Sequence, residues 1–305
     1  MKAKLLKVLS LLACLALSAS VAACGIGDDS SSSAGSSLEQ SSSEESSIVV
    51  PESSEEVSSE EVSSKEESSE KEEYPEDYYT EGLKFAPLVN DTYAGYTYVV
   101  VGYTGTATKV VIPSIYENKS VTSIGDYVFE FCTNLTEIVI PDSVTSIGWR
   151  AFYECPIKNA TMPTWAISAI PTNNLQSVTI TSGDSIDYSA FYNCNSLTEI
   201  VVPDSVTSIG YYAFSNCSSL TEIIIPDGVK RIGYYAFSNC SSLTEIIIPE
   251  SVTSIGNRAF YYCSNLTEII FEGTVEEWHA VEKGYDWNSN VPATEIVCND
   301  GTVTL

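Results

Sequence analysis

Histidine is nearly absent from this chain of 305 residues, since His279 is the only one. The sequence also lacks the C-x-x-C and H-E-x-x-H spacings of metal sites, glycine-rich phosphate loops and strand-borne nucleophile elbows. Carboxylates are abundant, but those of the repeated segments recur at the same strand position and therefore have similar environments. A catalytic acid and base need two carboxylates in different environments, and no such pair is evident. A lone histidine next to Trp278 is typical of a packing or surface group. We therefore expect no enzymatic activity, no cofactor and no metal.

Basic residues are also scarce, because 14 Lys and Arg stand against 41 Asp and Glu, for a net charge of −27. A surface of that sign repels the phosphates of nucleic acids and the headgroups of anionic lipids. The composition thus predicts no nucleic-acid partner and no electrostatic adsorption to a membrane. It leaves open whether the acidity only maintains solubility or selects a cationic partner.

No apolar run is long enough for a comfortable membrane span. The longest, residues 5–19, follows three lysines and precedes small residues, which is the layout of a secretory signal. The segment Val21-Ala22-Ala23-Cys24 resembles the lipobox of bacterial lipoproteins. The resemblance implies removal of residues 1–23, lipidation of the Cys24 thiol, export, and anchoring to the membrane at the bacterial cell surface. The alternative is an ordinary signal peptide in which the cysteine has no role.

Large apolar and aromatic side chains are missing from the next segment. Residues 28–73 carry 15 acidic residues and two lysines among many serines, a net charge of −13. Such a segment buries too little surface to offset the entropy of ordering. We expect residues 24–73 to form a disordered acidic linker whose length suits lifting the following domain through or above a cell wall; the alternative is a linker for which no particular length is required.

Repetition is what the rest of the chain has in abundance. Residues 210–226 and 233–249 both read GYYAFSNCSSLTEIIIP, 23 positions apart. Copies of the L-T-E-I segment begin at five leucines, and degenerate copies begin at three further positions: Leu135, Leu197, Leu220, Leu243 and Leu266, then Ala107, Ile157 and Leu175. The copy at Ile157 is only 18 residues long. A fixed period of this length predicts a solenoid of stacked units.

The unit LTEIVIPDSVTSIGWRAFYEC resembles the BspA-like (Treponema pallidum type) leucine-rich repeat over residues 94–271. The resemblance implies a surface protein with a role in adhesion. The chain then divides into a lipoprotein signal peptide, the linker, an N-terminal cap, about eight repeats of 22–23 residues and a C-terminal closing module: residues 1–23, 24–73, 74–106, 107–271 and 272–305.

Each repeat predicts the same local structure. In LTEIVIP, alternation turns Leu135, Ile138 and Ile140 inward, as in a half-buried strand. Stacked at about 4.8 Å per copy, eight strands form a parallel sheet roughly 35–40 Å long. The V-T-S-I segment predicts a second short strand, the following glycine a sharp turn, and Ala-Phe the start of a short helical turn with the phenylalanine inward.

Six cysteines occupy one repeat position: Cys132, Cys155, Cys194, Cys217, Cys240 and Cys263. Their even number in an exported protein is compatible with disulfides. Identical positions in stacked units favour a column of small buried hydrophobic side chains instead.

Two surfaces are candidates for binding. The sheet face carries outward glutamates and β-branched residues: Glu137, Glu199, Glu222, Glu245 and Glu268, then Val139, Val201, Ile224, Ile247 and Ile270. A contiguous apolar row of this kind marks a possible partner site, although strand propensity alone also explains it. The second surface lies over the turns, where aromatic residues suit glycans or protein hot spots: Trp149, Trp165, Tyr188, Tyr211, Tyr234 and Tyr261. One tyrosine of each Tyr-Tyr pair is expected to pack on the next unit, and the short copy near Trp165 to form a notch or protrusion.

The sequence as a whole predicts a surface lipoprotein that recognises an extracellular protein or glycan. A polysaccharide- or solute-binding lipoprotein acting with a transporter or hydrolase is the alternative, and an inert coat protein is a third class.

Overall fold

The computed structural model describes residues 78–89 and 95–305. The predicted signal peptide, Cys24, the acidic linker and the first residues of the predicted cap lie outside these ranges. The described chain winds into a solenoid of about nine turns, which confirms the predicted repeat architecture. Each turn, here called a rung, has three sides: a strand from the L-T-E-I segment, a two-residue strand from S-I, and a run of tight turns from G-x-x-A-F-x-x-C. No helix of the described residues is long and apolar enough to cross a bilayer.

The L-T-E-I strands form the first side. Five of them pair in parallel in one sheet: β3 Lys109–Val111, β6 Glu137–Val139, β8 Asn159–Met162, β9 Ser177–Ile180 and β11 Glu199–Val201. A second sheet contains β14 Glu245–Ile248, β16 Glu268–Phe271, β18 Glu295–Cys298 and β19 Gly301–Thr304. Between the two sheets, the rung at 222–225 makes only the single bridge from Ile224 to Ile247. The predicted continuous sheet is therefore interrupted at that rung.

The predicted second strand is confirmed on the second side. Five short strands pair in parallel: β10 Ser185–Ile186, β12 Ser208–Ile209, β13 Arg231–Ile232, β15 Ser254–Ile255 and β17 Glu282–Lys283. Closer to the N-terminus, β7 Ser146–Ile147 continues a sheet formed by β1 Leu83–Val89, β2 Tyr96–Tyr103, β4 Ile115–Tyr116 and β5 Lys119–Ile124. The first repeat contains an insertion at residues 114–119 that the other repeats lack, and this insertion forms the β4–β5 hairpin, with Glu117 and Asn118 at positive φ.

The third side is not the predicted helical turn. It is a ribbon of consecutive tight turns, in which alternate N–H groups bond within the rung, as from Ser215 to the carbonyl of Tyr212 (3.1 Å). The intervening N–H groups donate to the next rung, as from Phe214 to Ala236 (2.7 Å). Positive φ recurs twice in each turn ribbon, at +58° for Tyr212 and +64° for Asn216. These left-handed residues prevent a helix from continuing, and they leave alternate donors free for the neighbouring rung.

Columns of identical buried side chains fill the solenoid. The phenylalanine rings stack face to face: Phe191 on Phe214 at 5.3 Å, Phe214 on Phe237 at 5.2 Å, and Phe237 on Phe260 at 5.4 Å between centroids. The predicted inward residues Leu135, Ile138 and Ile140 are fully buried. Because each rung supplies the same layer, every rung forms half of its neighbour's core.

The cysteines form the predicted column as free thiols, all buried except the half-buried Cys132. The thiols of Cys217, Cys240 and Cys263 donate to phenylalanine carbonyls of the preceding rung at 3.0 to 3.1 Å. Burial raises the pKa of Cys155 and of Cys263 to about 12. Since the thiolate is the reactive form, these groups are chemically inert in the folded protein.

We expect the seven thiols from Cys132 to Cys298 to react with Ellman's reagent in guanidinium chloride. In the native protein at pH 8, Cys155, Cys240 and Cys263 should stay unmodified, because burial and a raised pKa suppress the thiolate. The half-buried Cys132 should react first. Fewer than seven thiols in denaturant without a reductant would contradict the free column.

Both ends of the array continue the solenoid. At the N-terminal end β2 pairs with β5 in parallel, so the cap hairpin begins the second side. The predicted closing module adds a rung of its own, with the helix α1 Val275–Ala280 inserted before β17. A capping box between Thr274 and Glu277 starts this helix, and Trp278 is buried in it. The antiparallel strand β19 then covers the last parallel strand.

Candidate recognition surfaces

The sheet face offers less apolar surface than the sequence suggests. Ile247 is only 4 % exposed, and Val139, Val201, Ile224 and Ile270 are half-buried. The glutamates beside them are half-buried except Glu268, which is exposed: Glu137, Glu199, Glu222 and Glu245. The row also crosses the interrupted rung, where one carboxylate oxygen of Glu222 is buried without a hydrogen-bond partner. The sheet face is therefore a partly covered acidic surface and not an open apolar groove.

The aromatic surface is more exposed. One glycine follows the S-I strand in successive rungs, and we call Gly210, Gly233 and Gly256 the column glycines. Tyr211 and Tyr234 each follow a column glycine, and their rings stack at 4.8 Å with an interplanar angle of 6°. Their exposed fractions are 51 % and 44 %. The second tyrosines of the pairs, Tyr212 and Tyr235, are half-buried and stack at 4.9 Å. The sequence predicts that one tyrosine of each Tyr-Tyr pair packs on the next unit. In the structure both tyrosines of these two pairs stack on the equivalent tyrosine of the neighbouring rung.

Stacking along the solenoid axis decides what these tyrosines present to a ligand. Because Tyr211 and Tyr234 cover each other's faces, the pair offers ring edges and hydroxyl groups. Such an arrangement favours hydrogen bonds and edge contacts over stacking of a sugar on an inner ring face.

A groove of about 590 Å³ runs beside this pair. We call it the tyrosine groove. Its glycines, aromatic rings and polar side chains come from four successive rungs: Gly210, Gly233 and Gly256, then Tyr211 and Tyr234, then Ser208, Arg231, Ser254, Asn257, Glu282 and Lys283. The volume lies within the range of small-ligand sites.

Two cations give the tyrosine groove a mixed electrostatic character in an acidic protein. Arg231 is exposed. The ammonium of Lys283 donates to the carbonyls of Trp278 (2.7 Å) and Val281 (2.6 Å) and lies 4.6 Å from the Trp278 ring. Burial lowers the pKa of Lys283. Lys283 is thus held in place by the closing module, whereas Arg231 is available to a ligand.

The other predicted aromatic residues do not join this groove. Tyr261 is half-buried against Tyr262 at 4.4 Å, because the residue in register with Tyr234 is Asn257. Trp149 and Tyr188 are exposed on other rungs, at 67 % and 71 %. Trp165 lies on the short 3-10 helix Thr164–Ala169 and is 37 % exposed.

Sequence reasoning missed Arg231, Asn257, Glu282 and Lys283. The 23-residue interval identifies the first two, one step after Ser208 and two steps after Tyr211. The last two follow only from the helix inserted in the closing module, which lengthens the interval to 28 residues, from Gly256 to Gly284.

An asparagine ladder is a further surface that the sequence did not predict. The Asn216 amide donates to Asn193 at 2.7 Å, and the Asn239 amide donates to Asn216 at 2.9 Å. All three have positive φ, a conformation that asparagine tolerates well. They line a shallow polar depression of about 440 Å³ that ends at Tyr262. The recurring letters F-x-N-C were the available signal. Throughout the described ranges, no group of three His, Cys, Asp or Glu side chains is arranged to hold a metal.

Comparison with known proteins identifies the repeat. The family described as "BspA type Leucine rich repeat region" matches residues 104–182 and 184–280, with six copies. No curated protein matches the sequence.

Several solved structures are similar. A leucine-rich-repeat protein of T. pallidum is 26 % identical, covers 71 % of this chain and 89 % of its own, and has a TM-score of 0.43. A leucine-rich cell surface protein from Faecalibacterium prausnitzii is 20 % identical over 69 % of this chain and 98 % of its own, with a TM-score of 0.29. A leucine-rich-repeat protein from Bacteroides ovatus is 20 % identical over 73 % and 71 %, with a TM-score of 0.33.

Proposed function

Because this chain belongs to the BspA-type leucine-rich-repeat family, we propose that it is a bacterial cell-surface lipoprotein whose solenoid binds an extracellular protein or glycan. The lipobox-like segment ending at Cys24 supports export and anchoring, and the acidic linker after it supports display away from the membrane. The family is a repeat scaffold and not an enzyme fold, in agreement with the absence of catalytic motifs from the sequence.

The tyrosine groove is the observation that carries this proposal. Tyr211 and Tyr234 are about half exposed, and stacking of one ring on the other fixes their orientation. Rigid tyrosines lose little conformational entropy on binding, which is why they are frequent in recognition sites. Arg231 and the hydroxyls of Ser208 and Ser254, which also line the groove, supply polar contacts. The groove therefore combines a preorganised aromatic edge with hydrogen-bonding groups.

Replacing both Tyr211 and Tyr234 by alanine should weaken binding to the natural ligand at least 10-fold, since interface tyrosines commonly contribute 1–2 kcal/mol or more. The ligand is first identified by probing an array of matrix proteins and glycans with the full chain in detergent. The affinities of the variant and the wild type are then compared by surface plasmon resonance.

Two controls separate the proposed surfaces. Tyr188→Ala removes a more exposed tyrosine that does not line the groove and should leave the affinity unchanged. Ile224→Ala with Ile270→Ala tests the sheet face. If only the sheet-face variant loses affinity, the tyrosine groove is the wrong site; if no array component binds saturably, the recognition function itself is wrong. Cys24→Ser should remove the protein, and with it ligand binding, from washed cells.

A further inference from the structure

The short rung leaves a notch in the solenoid. The repeat that begins at Ile157 is 18 residues long, and the 3-10 helix Thr164–Ala169 stands where other rungs have a turn ribbon. A concavity of about 470 Å³ follows the turn ribbon of residues 149–154 at this point. Arg150, Tyr153, Glu154, Ser168, Asn173 and Asn174 contribute to its lining. Of the notch or protrusion expected near the irregular repeat, the structure has a notch, and Trp165 does not line it.

Backbone donors are left without acceptors at this notch. In a regular rung, three alternate N–H groups donate to the following turn ribbon: Tyr212 to Tyr234 (2.9 Å), Phe214 to Ala236 (2.7 Å) and Asn216 to Ser238 (2.8 Å). The rung before the notch has no following turn ribbon.

The equivalent N–H groups belong to Arg150, Phe152 and Glu154, and they donate to no other group in residues 78–89 or 95–305. The register of the neighbouring rungs directs all three along the solenoid axis, which is toward the notch. Positive φ at Arg150 (+53°) and Glu154 (+60°) preserves the turn-ribbon conformation there. A row of parallel backbone donors in such turns has the chemistry of the nests that bind anions.

A guanidinium accompanies these donors. Arg150 lies 4.5 Å above the Tyr153 ring and 5.8 Å from the Trp149 ring, so aromatic contacts hold its side chain in place. Its closest ion-pair partner, Glu130, is 3.9 Å away, and the Arg150 side chain is 45 % exposed. The donors of Arg150 thus remain available for a bidentate contact with a carboxylate.

We propose that the notch binds the carboxylate of an acidic sugar residue, such as a sialic or uronic acid. The three N–H groups and Arg150 receive the carboxylate, while the amides of Asn173 and Asn174 and the Ser168 hydroxyl are suited to sugar hydroxyls. One cation next to the exposed carboxylate of Glu154 matches a single negative charge better than a phosphate dianion. A peptide C-terminus also carries a carboxylate, but the exposed polar side chains Ser168, Asn173 and Asn174 beside the donors favour the hydroxyl groups of a sugar.

The inference deepens the proposed recognition function and rests on it, because the sugar has to be met outside the cell. The test titrates the full chain in detergent with 3′-sialyllactose and with trigalacturonate, using calorimetry. Lactose and the methyl ester of trigalacturonate are the neutral probes. We expect saturable binding of at least one acidic sugar, at least 10-fold tighter than its neutral counterpart, and the comparison of the two acids identifies the source of the ligand.

Three variants locate the site. Arg150→Gln should weaken acidic-sugar binding about 10- to 100-fold, the usual effect of losing a charge-assisted contact. Glu154→Gln should strengthen it a few-fold by removing a like charge, a gain that misfolding cannot produce. Arg258→Gln is the matched control: Arg258 has the same repeat position and charge, but its N–H already donates to Tyr285 at 3.0 Å. Binding to the Arg258 variant should equal that of the wild type.

Equal losses of affinity in the Arg150 and Arg258 variants would overturn the proposal, because the loss would then follow from the change in net charge and not from a contact at the notch. Binding of free acetate as tight as that of the sugar acids would overturn the sugar assignment, and absence of any carboxylate-dependent binding would overturn the site. These failures are distinguishable from failure of the proposed function, because Arg150 is remote in sequence and rung from the tyrosine groove. A natural ligand that binds through that groove would still be detected on the array.

Discussion

Phe237→Ala should lower the free energy of unfolding by about 3–5 kcal/mol, the usual cost of truncating a buried phenylalanine. The Phe237 ring is fully buried and stacks between Phe214 and Phe260. Its loss opens a cavity that touches both neighbouring rungs. Because rungs are stabilised only by their neighbours, the cavity weakens two interfaces at once. Urea unfolding of the full chain, followed by far-UV circular dichroism, measures the change.

The chain supplies a matched control for this substitution. Phe131→Ala removes the same ring from a position that is 60 % exposed and should cost under about 1 kcal/mol. Similar losses for Phe131 and Phe237 would contradict the role of the stacked column as the core.

Gly233→Ala is expected to have the second largest effect, about 1–3 kcal/mol of destabilisation from overpacking. A Cβ at this position would lie 2.5 Å from the Gly210 carbonyl carbon and 2.7 Å from the Tyr211 nitrogen. Both are backbone atoms of the preceding rung, so the rungs themselves would have to separate. The change would also disturb the Tyr211–Tyr234 stack, and ligand binding at the tyrosine groove should fall with stability.

Gly102→Ala provides the comparison. A Cβ there would meet only the flexible end of Lys84 at 3.7 Å, and the substitution should be neutral or slightly stabilising. Thermal unfolding of the two variants in parallel tests the difference. Equal melting temperatures would show that close approach of the rungs does not require the glycine column.

The close approach of neighbouring rungs at Gly233 changes the explanation of the column glycines. The sequence interpretation assigned them to sharp turns, whereas among the described glycines only Gly82, Gly95 and Gly183 have positive φ. The left-handed positions of the turn ribbon are occupied by residues such as Tyr212 and Asn216. Gly233 is required by its distance to the neighbouring rung, and spacing within one repeat contains no information about that distance.

The inward positions could be predicted because they depend on alternation within one repeat. Leu135, Ile138 and Phe152 are buried as expected, and the cysteine column follows from the same argument. The tyrosine site could be predicted only in part. Placing Tyr261 with Tyr211 and Tyr234 was an error of register, since counting from the glycine gives Asn257.

Other features depend on contacts between rungs and had no signal in the residue types. The interruption at Glu222 occurs in a repeat with an ordinary L-T-E-I segment. The unpaired donors of Arg150, Phe152 and Glu154 arise from what the next repeat omits. The sequence shows the omission as an 18-residue copy. Residue types do not indicate which backbone N–H groups lack an acceptor, so these donors could be identified only from the structure.

The two identical 17-residue segments have matching cores, although only the second forms a paired strand in its L-T-E-I segment. The Cys217 and Cys240 thiols both donate to a phenylalanine carbonyl at 3.1 Å, and Phe214 and Phe237 make equivalent stacks. The buried columns of these rungs are therefore interchangeable, and recombination between the repeats that adds or deletes one 23-residue unit leaves the phenylalanine and cysteine columns in register. A lineage can lengthen or shorten the tyrosine groove by whole steps, with the cap and the closing module unchanged, and thereby alter the number of contacts to a ligand without redesigning the fold.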